Sequence, residues 1–91
     1  MGDIHVDGAT VTLVGEVDME NAGDLMAAIA ELLDAGAHHV TFDVSALQFI
    51  DSAGIGAIAM LLRHDVGYTF IDAVGSVRRT LQFAGLIDLD E

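Results

Sequence analysis

Cysteine is absent from this chain of 91 residues, which excludes a disulfide framework, a thiolate metal site and a catalytic thiol and fits a reducing compartment. Positive charge is nearly absent too. Three bases, all arginine (Arg63, Arg78 and Arg79), stand against fifteen acids, for a formal net charge of −12. Reading nucleic acid through its phosphates needs a basic stripe that releases counterions, and three arginines cannot make one. An anionic membrane surface would repel the chain for the same reason. No long hydrophobic run occurs: the longest, Gly54 to Leu62, is too short to span a bilayer, and the start "MGDIHVDG" lacks the basic and apolar segments of a secretory signal. Cytoplasmic residence is the expectation.

Aromatic residues are few, one Tyr and four Phe, while 53% of the chain is apolar. The core must therefore come from Val, Ile, Leu, Met and Ala. Residues 1–91 are expected to form one small domain, burying about 60–65% of the surface of the unfolded chain.

"IHVDGATVTLVGEV" alternates Ile4, Val6, Val11 and Leu13 on one side of an Asp7-Gly8 turn, which predicts a hairpin. Asp18 or Asn21 can cap a helix over about Ala22 to Ala35, in which Leu25, Ile29, Leu32 and Leu33 recur at helical spacing before Gly36. "HVTFDV" reads as a strand, and "SALQFI" as its lead into a second helix from about Ala53 to His64. "YTFID" is a further strand. "SVRRTLQFAG" is a helix opened by Ser76 and closed by Gly85. A hairpin followed by helix, strand, helix, strand, helix predicts an α/β layer whose later strands are parallel, joined by right-handed crossovers.

The stretch "FIDSAGIGAI" concentrates the functional signal. Ser52 as a hydrolase nucleophile would want a glycine two residues earlier, where Ile50 stands, and only His5, His38, His39 and His64 could supply a base. Gly54, Gly56 and Ala59 satisfy a dinucleotide fingerprint, but "SALQFI" separates them from the strand and Asp51 sets a carboxylate where a pyrophosphate must lie. As a helix cap, Ser52 would contribute about 1 kcal/mol. Gly54 and Gly56 then cost close to 1 kcal/mol each relative to alanine, so something beyond helix stability requires them. The fourth reading makes Ser52 a phosphoryl acceptor. His38-His39 lacks further ligands at metal-binding spacing, and no metal or cofactor is expected.

"FIDSAGIGAI" resembles the D-S-[SA]-G-[LI]-G motif of the STAS domain of anti-sigma-factor antagonists. Gly15-Glu16-Val17-Asp18 with Asn21-Ala22 resembles that family's G-E-[LV]-D-x-x-[NT]-A segment, and "VTFDVSALQFIDS" and "SVRRTLQFAGL" resemble its later strand and last helix in the family's order. The resemblance spans Gly15 to Leu86. Ala53 replaces a frequent second serine, leaving Ser52 as the only acceptor in the motif, and the connection "RHDVGYTF" is shorter than usual, so the second helix is expected to end early.

The resemblance implies a mixed, mostly parallel sheet packed by helices, and a switchable binding protein without catalytic residues. Its partner would be an ATP-bound anti-sigma factor with serine kinase activity, held in the unphosphorylated state and released when Ser52 is phosphorylated. A phosphoserine phosphatase would reset the switch. The resemblance assigns the contact surface to Asp18, Met19, Glu20, Asn21, Asp51, Ser52, Gly54, Ile55 and Gly56. A STAS scaffold without a phosphorylation switch, in a stress-sensing or lipid-transport complex, is the alternative.

Overall fold

Alternating apolar residues at the start of the chain form a β-hairpin, β1 (Gly2–Asp7) and β2 (Thr10–Val17), turning at Gly8, whose φ of 59° is the left-handed region that favours glycine. This computed structural model describes residues 2–88. After the hairpin come α1 (Ala22–Asp34), β3 (His39–Ile50), α2 (Ser52–Ala59) with a 3-10 turn over Met60–Arg63, β4 (Gly67–Ile71) and α3 (Gly75–Phe83). The four strands form one sheet in the order β1-β2-β3-β4. The first pair is antiparallel and the other two are parallel, which is the predicted α/β architecture.

One face of this sheet is buried. Val11 and Leu13 of β2, with Val40, Phe42 and Val44 of β3, pack against Leu25 and Ile29 of α1, Ala57 and Ile58 of α2, and Val77 and Leu81 of α3. Apart from Ala57, each of these side chains contributes roughly 1.5–3 kcal/mol through its removal from water. Phe42 stacks on Phe70 with ring centroids 5.5 Å apart. The opposite face presents Thr10, Thr41 and Thr69, aligned across three strands by the pairing register.

β3 runs six residues further than "HVTFDV", because "SALQFI" continues the strand instead of forming a loop. Twice, between Thr12 and Val14 and between Gly15 and Glu16, β3 uses one residue more than β2. These bulges turn a two-residue period into buried positions at Val44, Leu47 and Ile50. At the first bulge the Asp43 carboxylate accepts hydrogen bonds from the Ser45 hydroxyl at 2.7 Å and the Ser45 amide at 3.1 Å. Those bonds, the hydroxyl foremost, hold the Asp43 carboxyl below its usual range. Ser45→Ala is expected to raise the Asp43 pKa, measured by NMR titration. A folded-state pKa below the unfolded value stabilises the fold above about pH 4 and is lost as pH falls through the folded pKa. The stability difference between wild type and Ser45→Ala should therefore shrink in acid.

Both long helices end as predicted. Gly36 (φ 85°) and Gly85 (φ 80°) sit just past α1 and α3, with Gly36 N–H donating to Leu33 O and Ala37 N–H to Leu32 O, and Gly85 N–H to Gln82 O and Leu86 N–H to Leu81 O. These are Schellman closures. The predicted caps differ. Asn21 stands at the N-cap of α1, but its side chain makes no cap bond. Ser76 lies inside α3, whose N-cap is Val74. The second helix, expected over Ala53 to His64, begins at Ser52, is α-helical to Ala59 and is carried on by the 3-10 turn to Arg63.

Candidate functional site

β2 and β3 end side by side, and the backbone N–H of Asp51 donates to Val17 O at 3.0 Å, tying together the two loops that leave the sheet. The first loop, Asp18–Asn21, is organised by its own side chains. Asn21 Oδ1 accepts from the Asp18 N–H at 2.9 Å and Asn21 Nδ2 donates to Glu16 O at 2.8 Å, while Asp18 Oδ1 accepts from the Glu20 N–H at 3.0 Å. This is why Asn21 does not cap α1: its amide is spent on closing the loop, and Asp18 forms an Asx-type turn. The result is a fixed loop with Met19 at its tip, 81% exposed. Asn21→Ala is expected to cost roughly 1 kcal/mol and to speed exchange of the Asp18 amide, measured by hydrogen exchange.

The second loop is a single residue. Asp51, in extended conformation, is the N-cap of α2, and its Oδ1 accepts from the amides of Ala53 at 2.9 Å and Gly54 at 3.1 Å. Ser52 is therefore the first helical residue and not the cap. With the cap satisfied by its neighbour, the Ser52 side chain is exposed, and its hydroxyl has no hydrogen-bond partner among the described residues.

This arrangement also decides the dinucleotide reading. β3 runs directly into Asp51, so the supposed intervening loop is not the objection. The objection is that Gly54 and Gly56 lie inside the helix and that the first-turn amides, which would cradle a phosphate, are occupied by the Asp51 carboxylate. Nor does a histidine stand beside Ser52. His38 and His39 lie at the opposite end of β3, about 30 Å along a strand of this length, where His39 Nε2 meets Thr69 Oγ1 at 2.7 Å. His5 lies partway along the edge strand β1, opposite Thr12, and His64 follows the 3-10 turn at the far end of α2. Among the described residues no cluster of three or more His, Asp or Glu is placed to hold a metal ion.

The two glycines have different reasons. A Cβ on Gly54 would lie 2.7 Å from both Ile50 Cγ1 and Val17 Cγ1, so this buried glycine seats α2 on the strand ends. The resemblance assigned it to the contact surface; the structure instead buries it on the side of α2 that meets Val17 and Ile50. A Cβ on Gly56 meets nothing within 4 Å, and Gly56 is exposed. Of the remaining expected residues, Glu20 is exposed, Asp18, Asn21 and Asp51 are half-buried, and Ile55 packs partly against the core. The open surface is thus Met19, Glu20, Ser52 and Gly56, flanked by acids. Sequence reasoning missed Phe49, which is 50% exposed and pairs in register with Glu16 at the same end of the sheet. Its large apolar side chain immediately before "IDS" was the available signal, hidden by the bulge that sets its direction.

Residues 3–90 match the family model of the STAS domain. No curated protein matches the sequence. Among solved structures, the chain is similar to the anti-sigma factor antagonist SpoIIAA in its unphosphorylated form, with a TM-score of 0.67 and 23% identity over 91% of this chain and 83% of that one. An anti-sigma factor antagonist from Mycobacterium paratuberculosis gives 0.75 and 23% over 94% and 78% of the two chains. The Bacillus cell fate determinant SpoIIAA in its phosphorylated form gives 0.65 and 26% over 94% and 85%. Among the described residues no helix is long and apolar enough to cross a membrane.

Proposed function

The chain belongs to the STAS domain family, and on that premise we propose that it is an anti-sigma-factor antagonist whose unmodified form holds an anti-sigma factor with serine kinase activity and whose phosphorylation at Ser52 releases it. The observation that carries this reading is the free, exposed hydroxyl at the first position of α2, beside a loop fixed by Asn21 and over a glycine, Gly56, that leaves the approach open. Solved relatives with this fold exist in unphosphorylated and phosphorylated forms, which supports a switch of this kind.

In the transfer step the Ser52 Oγ attacks the γ-phosphorus of ATP, the bond from that phosphorus to the β,γ-bridging oxygen breaks, and ADP leaves. The hydroxyl proton passes to a base of the kinase. Asp51 serves as the cap of α2, its Oδ1 accepting from two amides. The antagonist's own contribution is placement: it presents an oxygen on a rigid helix start, with the nucleotide and Mg²⁺ supplied by the partner. A phosphatase acting on phosphoserine restores the binding form.

The test is to mix the purified protein with its cognate anti-sigma kinase and ATP. One phosphate, mapped to Ser52 and absent from Ser52→Ala, is the expected result. Phosphate on another residue, or none, contradicts it and favours a STAS scaffold without the switch.

A further inference from the structure

The two edges of the sheet are treated differently by the sequence. β1 carries Asp3 and Asp7, charges that discourage pairing with another strand. β4, "GYTFI", has no charge, no proline and no register irregularity, and among the described residues nothing pairs with its outer edge. It is the one strand of the four without an acidic residue, in a chain of net charge −12. Beside it runs a cleft of about 500 Å³ whose lining includes Tyr68, Phe70, Ala73, Arg78, Leu86 and Asp88. Arg78 makes no ion pair with a described residue, so the cleft offers one unpaired cation and one anion.

We propose that the free edge of β4 pairs with β4 of a second copy of this chain, antiparallel and two-fold symmetric about Thr69, joining two four-stranded sheets into one of eight. A two-fold contact must be self-complementary, and this edge is. Antiparallel pairing centred on Thr69 sets Tyr68 opposite the partner's Phe70, an aromatic cross-strand pair, and Gly67 opposite the partner's Ile71, whose side chain is 40% exposed in the single chain. Arg78 and Asp88 give each copy both charges of a pair. A foreign peptide of general sequence lacks these matches. The surface is small, so the dimer is weak and in exchange with monomer. Two copies of a −12 chain repel, and salt screens that repulsion, so dimerisation strengthens with ionic strength.

Sedimentation equilibrium on the full chain tests this. The association constant is expected to rise at least about tenfold between about 0.05 M and 1 M salt. Thr69→Lys and Thr69→Asp are each expected to weaken it at least about tenfold, since either places like charges face to face on the symmetry axis, with circular dichroism confirming the fold. Thr69→Lys lowers the magnitude of the net charge from −12 to −11, so if only general charge mattered it would strengthen association; that result overturns the proposal. Hydrogen exchange needs no variant: protection of the β4 amides should grow with protein concentration. A monomer at all salts and concentrations contradicts pairing. So does protection of β4 independent of concentration, which would mean that a segment of the same chain covers the edge.

Discussion

Gly54→Val is expected to destabilise the domain by about 3 kcal/mol, whereas Gly56→Val, two residues along the same helix, should leave stability within about 0.5 kcal/mol of wild type. Intrinsic propensity cannot separate them, because valine and glycine differ little in a helix interior. The neighbours do. At position 54 even the first carbon of a side chain falls 2.7 Å from Val17 Cγ1 and Ile50 Cγ1, both close to their backbones and unable to swing aside. The helix must lift from the ends of β2 and β3, opening the core around Ile58 and Leu25, both fully buried. For a domain of this size the loss corresponds to a fall in Tm of roughly 12 to 24 °C, measurable by thermal denaturation. Position 56 faces open space, so its variant stays folded. There the expected loss is functional: a branched side chain one turn beyond Ser52 obstructs the nucleotide-bearing partner, and Gly56→Val should lose phosphoryl transfer while keeping wild-type Tm. Normal transfer to that variant would remove Gly56 from the contact surface.

Phosphorylation of Ser52 is expected to weaken binding of the ATP-bound kinase about a thousandfold while the domain remains folded. The modification adds 1.5 to 2 negative charges at the start of α2, roughly. Within the domain this is tolerable: the helix dipole favours an anion there by at most about 2 kcal/mol, and the Ser52 side chain is exposed, with no packing to disrupt. Across the interface it is not. A hydroxyl positioned for attack sits within a few ångströms of the γ-phosphate of ATP, so the phosphoserine faces the γ-phosphate of the next nucleotide. Two like charges about 4 Å apart at an effective dielectric of 20 cost on the order of 4 kcal/mol, which is about three decades in Kd. The charge term predicts a dependence on the nucleotide: with ADP in the kinase, phosphorylated antagonist should bind more tightly than with ATP. Ser52→Asp should show a weaker form of the same loss. Equal affinities for the ATP and ADP forms would remove the charge term and leave only steric exclusion.

How far the sequence reveals this molecule depends on whether a feature is local. Gly36 and Gly85 are legible because a left-handed residue after a helical period has one common use, and both close Schellman motifs. The hairpin and the parallel order follow from alternation and crossover length. β3 was truncated because its bulges place Val44, Leu47 and Ile50 inward three residues apart, a spacing that mimics the absence of a strand. Asp51 and Ser52 are both competent caps, and the choice between them lies in backbone angles: the extended Asp51 brings its carboxylate to two amides and leaves the serine outside. The glycine motif was legible as a requirement and not as a cause. Gly54 answers to Val17, a residue on another strand, and no reading of the neighbourhood of position 54 alone could supply that contact. Phe49 is missed for the same reason as the end of β3.

The most direct test of the central claim compares the kinase affinity of the unmodified chain with that of the chain carrying one phosphate on Ser52, by calorimetry in the presence of a non-hydrolysable ATP analogue. The switch predicts tight binding by the first and a loss of about a thousandfold by the second, with superimposable far-UV spectra and Tm values within a few degrees. Equal affinities of the two forms, or a phosphorylated form that has unfolded, would contradict it.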